Sequence, residues 1–594
     1  MPGDLRKFHG RQRGTGMGRS VVRKTKDISI VLCGEAGHGI QTVEQILTRL
    51  LKLSGFHVFA TKEYMSRVRG GSNSTEIRVS SRRVSALLDR IDILIPLDPA
   101  ALKHIGNRIS HETLVLADGK IIADTENKNR LNFIEIPFSD IASAAGGAIY
   151  TNSVSVGIIA GLFDVGFDVV GSSIARFFSA GDKKIIEKNL SAAKRGYEIA
   201  RELIDAEKIH IDISRNDDVT GEIIINGAEA VGIGAIAGGC NCIVSYPMSP
   251  STAVLTFLSR NAKDFNLIAE QTEDEISAVN MALGAWYAGA RAMVTTSGGG
   301  FALMEEAVGL AGMIESPMVI HVAQRPGPAT GLPTRTEQGD LQLVLYSGHG
   351  EFPRIILAPG KLEDAVDLTH RAFNLADKYQ VPVFILTDQY FMDSYYNIPS
   401  LNLSETRVTQ YIEKTGHDYK RYRLTKNGIS PRGIPGYGEG LVLADSDEHD
   451  EEGHITEDLD VRVAMVDKRL SKLKSITEDL IPPELVGRKD YKVLVIGWGS
   501  TFHVIREAIE CLGRTDIALL HFKQVYPVHP YTAEYLAKAK HTIVVEGNAT
   551  GQFGRLIWIA TGYDIDNRIL KYNGIQFTVE ELTEQIKTIL DQGE

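Results

Sequence analysis

Cys242-Ile243-Val244-Ser245-Tyr246-Pro247-Met248-Ser249-Pro250-Ser251-Thr252-Ala253-Val254-Leu255 decides how the middle of this chain is read. A short apolar run gives way to two prolines within four residues and then to a second apolar stretch, the order of a strand, a rigid turn and a helix. Proline fixes φ and biases the residue before it toward extended backbone. The turn is therefore a stiff, hydroxyl-lined elbow at the carboxyl end of a strand, where parallel α/β sheets place their ligands. The same residues also read as a plain helix start, with Ser251 or Thr252 as N-cap.

Outward from the elbow, strand and helix patterns alternate from Glu222 to about Phe391, with strands predicted at 292–295, 318–322, 353–357 and 381–386. An earlier unit opens with Ile28-Ser29-Ile30-Val31-Leu32 and runs into Gly34-Glu35-Ala36-Gly37-His38-Gly39. Val43, Ile46, Leu47, Leu50 and Leu51 follow on one helical face; further strands are predicted at 76–79, 91–95 and 114–117, and an Ala-rich helix closes the unit near 192–203. A third unit begins at Tyr491-Lys492-Val493-Leu494-Val495-Ile496-Gly497-Trp498-Gly499. The expected organisation is α/β and multidomain: a basic, unstructured tail over 1–26, units over 27–207, 221–395 and 486–594, and a linker or arm over 396–485 in which nine acids fall between Asp445 and Asp460.

A length of 594 residues supports roughly three or four cores. The net charge of -11, without a compensating basic face, argues against nucleic acid as a partner. No apolar stretch approaches the roughly 20 residues that span a bilayer, and the basic N-terminus lacks the apolar segment of a secretory signal, so a cytoplasmic protein with no membrane partner is expected. Cys33, Cys240, Cys242 and Cys511 form no Cys-x-x-Cys pair, which implies mostly buried thiols in a reducing compartment and excludes a local four-cysteine iron–sulfur motif on this chain.

Three features can carry chemistry. Gly-bearing turns at 34–39, 298–300 and 497–499 each suit a phosphate or serve only as tight turns; none ends in the Lys-Ser/Thr of a P-loop. Glu270-Gln271-Thr272-Glu273-Asp274-Glu275 precedes a long helix, so Thr272-x-x-Glu275 reads as a capping box, or Glu275 as a carboxyl facing a pocket and relaying protons. Gln324-Arg325-Pro326-Gly327-Pro328-Ala329-Thr330-Gly331-Leu332-Pro333-Thr334 is a rigid loop with one guanidinium, whose planar fork matches a carboxylate.

In this order, the three stretches resemble the alpha subunit of the 2-oxoacid:ferredoxin oxidoreductases. The family signature Tyr-Pro-Ile-Thr-Pro-Ser-Thr matches 246–252 with Met248 for Ile and Ser249 for Thr. Thr-Ser-Gly-Pro-Gly-Phe matches 296–301 except for Gly299, and Arg-x-Gly-Pro-Ser-Thr-Gly-x-Pro-Thr matches 325–334 with Ala329 for Ser. Gln338-x-Asp340-Leu341, His349-Gly350-Glu351, Gly453-His454-Ile455-Thr456-Glu457-Asp458 and Glu546-x-Asn548-x-x-Gly551-Gln552 also fit, and Gly34-x-x-Gly37-x-Gly39 with Arg69-Gly70-Gly71-Ser72 resembles the family's gamma domain fused ahead.

The resemblance implies a gamma-type domain, a pyrimidine-binding-type domain of a thiamine diphosphate enzyme and a transketolase-C-like C-terminal domain. It aligns Glu275 with the glutamate on the aminopyrimidine ring, places Tyr246 and Pro247 at the cofactor, and sets Ser249, Arg325 and, less closely, Thr334 near the 2-oxoacid. Glu275, Arg325 and Ser249 are thus the implied catalytic residues. A carboxyl bonded to the ring nitrogen favours the imino tautomer, whose nitrogen removes the C2 proton. Gly34, Gly37, Gly39, Arg69, Gly70 and Gly71 are implied in coenzyme A handling. No Gly-Asp-Gly motif occurs, so Mg2+, the diphosphate site and a [4Fe-4S] cluster are expected on a beta subunit, in an (alpha-beta)2 assembly that passes electrons to ferredoxin. The fused architecture points to 2-oxoglutarate, with pyruvate or a branched-chain acid as alternatives. A non-oxidative thiamine-dependent decarboxylase and a non-catalytic scaffold are the rival readings.

Overall fold

The computed structural model describes residues 22–25, 27–35, 40–65, 71–123, 131–178, 182–404 and 406–593. Its first unit is built on an eight-stranded mixed sheet. Asp27–Glu35 lies at the centre, parallel to Ile93–Pro96 and antiparallel to Ser72–Ser80. Leu114–Ala117 and Asn132–Glu135 extend one side in parallel, and His57–Glu63 extends the other antiparallel to Ser72–Ser80. The last two places are taken by Ile223–Asn226, which the sequence pattern assigns to the start of the second unit, and by Tyr395–Ile398, which straddles the expected boundary at 395 and lies mostly in the expected linker. Helices Thr151–Leu162 and Lys183–Asp205 pack closely because glycine sits at the contact: a Cβ on Gly157 would run into the Ala193 carbonyl, and one on Gly196 into that of Val154.

The expected unstructured tail ends early. Val22–Thr25 forms a strand that pairs in parallel with Ile209–Asp212 as a separate two-stranded sheet.

The second unit is a seven-stranded sheet ordered Ile268–Gln271, Cys242–Ser245, Ala292–Thr296, Met318–Gln324, Pro382–Asp388, Ile355–Leu357, Gln524–Tyr526. All pairings are parallel except the last, where the C-terminal unit lends a strand. Met318–Gln324 and Pro382–Asp388 are buried on both faces, as apolar runs in parallel sheets are. The C-terminal unit carries a five-stranded sheet ordered Glu484–Val486, Ile517–Phe522, Val493–Trp498, His541–Glu546, Asn567–Leu570. One apolar cluster joins it to the second unit, with Trp498, Phe522 and Phe553 sharing a core with Val322 and Phe384.

The segment between these units is an arm held by buried charge. Helix Leu459–Ile476 sends Lys468 and Lys472 onto Glu315, the latter pair at 2.6 Å, with all three side chains 1% exposed. Among the predicted acids, Glu448 is bound by Arg462 and Arg469. Cys33, Cys240 and Cys242 are buried and Cys511 is exposed, all as free thiols. No single helix among the described residues is long and apolar enough to cross a membrane.

Candidate active site

The second sheet changes direction between Cys242–Ser245 and Ala292–Thr296. From the first of these strands the chain moves outward to Ile268–Gln271; from the second it moves the other way to Met318–Gln324. Such a switch point opens a crevice at the carboxyl ends of the two strands. Their ladder is short, pairing Cys242 with Ala292 and Ile243 with Met293, and farther along the Ser245 hydroxyl accepts the Thr295 N–H at 2.9 Å. Four loops leave the sheet around this crevice, and each brings one of the features singled out from sequence.

The elbow after Cys242–Ser245 is the proline-stiffened turn. Ser251 occupies the N-cap position of helix Thr252–Asn261, but its hydroxyl donates to the Met248 carbonyl at 2.7 Å and caps nothing. The N-cap reading of Ser251 or Thr252 is therefore corrected: the turn is closed on itself, leaving half-buried Ser249 on its rim and Tyr246 38% exposed.

After Ile268–Gln271 comes Glu275. The capping-box reading of Thr272 and Glu275 is also corrected. Asp274 is the N-cap, accepting the Ser277 N–H at 2.7 Å, and the Thr272 hydroxyl donates to the Asp274 carbonyl at 2.9 Å. Glu275 is left out of the cap; it is 4% exposed and its Oε1 has no hydrogen-bond partner. Burial pushes its carboxyl above the usual range and Asp274 adds to that, while its own backbone N–H and Arg325 pull the other way.

The turn after Ala292–Thr296 is Gly298-Gly299-Gly300. A Cβ on Gly300 would lie 2.5 Å from Glu275 Oε1, and one on Gly298 would overlap the Asp340 carboxyl. Only bare backbone lets two carboxyls approach the turn from either side. Behind it, His321 is fully buried between the Thr295 and Thr387 hydroxyls, 2.8 Å from each, and burial pushes it down to about 3, so the imidazole is neutral and structural.

Arg325 opens the loop after Met318–Gln324. Its guanidinium donates to the Ser249 carbonyl at 2.7 Å, tying this loop to the elbow. Burial lowers its proton affinity, and Asp340 and Glu275 raise it, in that order. The rest of the loop is clamped from the C-terminal unit. Gln338 donates to the Trp498 carbonyl at 2.9 Å and accepts the Gly547 N–H at 2.9 Å; Asn548 donates to the Gln338 carbonyl at 3.2 Å, and Gln552 to that of Gly339 at 2.7 Å. Glu546 anchors that clamp by accepting from Asn548 at 2.8 Å and from the Phe553 and Gly554 N–H groups at 2.9 Å each. From the first unit, Glu63 pairs with Arg335 at 2.5 Å.

Ser249, Glu275 and Arg325 thus converge, with Tyr246 and Pro247 on the same elbow and Thr334 buried farther along the Arg325 loop. Gly34 and Gly71 belong to the first unit; Gly37, Gly39, Arg69 and Gly70 lie outside the described residues. From sequence the 298–300 turn suits a phosphate or serves only as a tight turn, and Asp340 carries no role; the structure instead brings two carboxyls onto that turn, a close approach of which the triple glycine is the visible signal.

Residues 233–468 match the protein family described as "Pyruvate flavodoxin/ferredoxin oxidoreductase, thiamine diP-bdg", and residues 29–199 the one described as "Pyruvate ferredoxin/flavodoxin oxidoreductase". The 2-oxoacid:ferredoxin oxidoreductase subunit alpha of Sulfolobus sp is 31% identical, over 96% of this chain and 98% of its own. The chain belongs to the 2-oxoacid:ferredoxin oxidoreductase alpha-subunit family. Within the family, the 2-oxoglutarate oxidoreductase subunit KorA of Mycobacterium tuberculosis is 28% identical over 96% of this chain and 92% of its own. The solved 2-oxoglutarate:ferredoxin oxidoreductase from Magnetococcus marinus, with 2-oxoglutarate, coenzyme A and succinyl-CoA bound, superposes with a TM-score of 0.88 at 29% identity, over 95% of this chain and all of that one. The multidomain α/β fold and the oxidoreductase class follow from membership of this family.

Proposed function

We propose that this chain is the fused gamma–alpha subunit of an enzyme that oxidatively decarboxylates a 2-oxoacid to an acyl-CoA and passes the electrons to ferredoxin. The observation that carries this reading is the Glu275 carboxyl, buried at the switch point and excluded from its own helix cap, with its Oε1 left without a hydrogen-bond partner. Such a group awaits a ligand donor or acceptor, and it fits the aminopyrimidine ring of thiamine diphosphate. That cofactor, when bound, supplies a nucleophilic carbon and an electron sink for decarboxylation. Glu275 holds or releases a proton toward the ring, Arg325 receives the substrate carboxylate, and Ser249 keeps the Arg325 loop in place through its carbonyl while offering its hydroxyl to the oxoacid.

2-Oxoglutarate is the proposed substrate, because the Magnetococcus and Mycobacterium relatives are named for it. Exposed apolar side chains on the elements that leave the sheet here, Tyr246 on the elbow, Leu303 just after the glycine turn and Leu332 on the Arg325 loop (38%, 52% and 50% exposed), support closure by another chain. We assign to that beta subunit the Mg2+–diphosphate site and the [4Fe-4S] cluster, in an (alpha-beta)2 complex in the cytoplasm. Units 27–207, 221–395 and 486–594 are proposed as gamma-type, pyrimidine-binding-type and C-terminal domains, with coenzyme A handled by the first through Gly34 to Gly39 and residues 69–71.

The test is a ferredoxin-linked assay of the co-purified complex against 2-oxoglutarate, pyruvate and branched-chain 2-oxoacids with coenzyme A. Glu275→Gln should cost about 100-fold or more in turnover, the lower end of what a positioned acid–base group contributes, with assembly intact on gel filtration. Near-normal turnover in that variant defeats the assignment.

A further inference from the structure

Asp340 occupies an N-cap position and does not cap. It precedes helix Leu341–Tyr346, where an Asp side chain ordinarily accepts an N–H from the first turn, yet no such bond is made. Its backbone is instead fixed from behind: the Asp340 N–H donates to the Gln324 side-chain oxygen at 3.0 Å, and Gln324 is itself held by the Thr387 carbonyl at 3.0 Å. This turns the carboxyl onto Gly298, where a side chain of any size would overlap it, and leaves its Oδ2 enclosed without a hydrogen-bond partner. Two enclosed carboxyl oxygens, from Glu275 and Asp340, therefore flank one glycine turn, and both carboxyls feel the charge of Arg325.

We propose that Asp340 is a positioning residue of the oxoacid site: as a neutral carboxyl it leaves the Arg325 guanidinium to the substrate carboxylate, and as a carboxylate it competes for it. Substrate binding and protonation of Asp340 then favour each other, as linkage requires. This rests on the role given above to Arg325. The charged and titratable groups around Asp340 are Arg325 and Glu337 on its own loop and, across the glycine turn, Glu275; the strand end at Gln324 and the C-terminal clamp at Gln552 face it with neutral amides. Burial pushes its carboxyl up to about 7, Glu337 adds to this and Arg325 opposes it, so the competition changes within the range where the enzyme is assayed. The structural alternative, a carboxyl that only braces the loop, predicts no link to pH.

The test uses the reconstituted complex with 2-oxoglutarate and a viologen acceptor, measuring KM, kcat and melting temperature from pH 5.5 to 8.5. Wild type should show KM rising about tenfold from pH 6 to pH 8, the effect of one charge competing at roughly 1.4 kcal/mol. In Asp340→Asn, KM should stay within about twofold of the low-pH wild-type value throughout, with kcat little changed. Glu337→Gln, which leaves Asp340 in place, should move the midpoint of the KM rise to lower pH. The proposal is overturned if Asp340→Asn keeps the wild-type pH rise, if its KM is raised at every pH, or if Glu337→Gln leaves the midpoint unmoved. A wild-type complex that turns over no 2-oxoacid overturns the site assignment itself, a result separate from any of these.

Discussion

Glu44 shows at the scale of one residue how burial sets chemistry here. It lies on helix Ile40–Leu53, 1% exposed, with its Oε1 unpartnered. Lys62 stands nearby but is committed to Asp393 at 3.0 Å. Burial pushes the Glu44 carboxyl up to about 7, against the pull of Lys62. A raised carboxyl means the folded chain keeps a proton that the unfolded chain loses above about pH 4.3, so stability falls as pH rises from there to about 7 and is level beyond. Glu44→Gln removes the charge and keeps the shape. It should raise the melting temperature of the complex at pH 8, by a free energy on the order of 3 kcal/mol at most, and the gain should shrink toward zero near pH 4.5. A gain that is constant with pH would assign the effect to packing. Glu275 differs from Glu44 in facing a crevice, which is why the same unpartnered oxygen marks a site in one place and a strained core in the other.

At the scale of elements, the glycine turn at 298–300 governs what the helix beginning at Glu275 can present. The Asp274 cap fixes where that helix starts, and the absence of a Cβ at Gly300 gives the Glu275 carboxyl room against Thr296. Gly300→Ala should therefore cost as much turnover as Glu275→Gln, about 100-fold, while the far-UV circular dichroism stays unchanged. Retained activity would show that the carboxyl can shift without loss. The sequence motif gave both the glycines and the glutamate, but the capping box drawn from Thr272 and Glu275 used the same residues for a purely local purpose. Two partners three residues apart always satisfy a local rule; only the neighbouring Asp274, which reaches Ser277 first, shows that the rule was not needed.

At the scale of the whole molecule, the Arg325 loop is where three units meet. Glu63 reaches it from the first, Ser249 from the second, and Gln338 is gripped from the third by a framework that Glu546 organises. Glu546→Ala strands the buried Asn548, Phe553 and Gly554 donors and should cost roughly 3–5 kcal/mol of local stability. The loop over 325–340 should then become a preferred site of limited proteolysis, and KM for the 2-oxoacid should rise about tenfold or more with a smaller change in kcat. A variant with wild-type proteolysis and kinetics would mean that the C-terminal unit does not position the site. The motif Glu546-x-Asn548-x-x-Gly551-Gln552 is therefore best explained as scaffolding for a loop some 200 residues earlier in the chain, a connection no local pattern contains.

Apolar periodicity and proline placement by themselves determined the parallel sheet of the second unit, its elbow and its two loops, because strand, turn and helix are fixed by residues within a few positions of one another. They also put Ser249 and Arg325 at strand ends; Glu275 was placed only at a helix start, and the strand Ile268–Gln271 ahead of it, which lacks an apolar run, came from the fold. Tertiary structure decided the rest. It lent Ile223–Asn226 and Tyr395–Ile398 to the first unit's sheet, since an open edge takes whichever strand can reach it. It also separated polar side chains that only cap or brace from those left waiting for a partner. Ser251, Asp274 and Glu546 found theirs in the protein, whereas one oxygen each of Glu275 and Asp340 did not, and that difference depends on which distant backbone comes within hydrogen-bonding distance once the chain is folded.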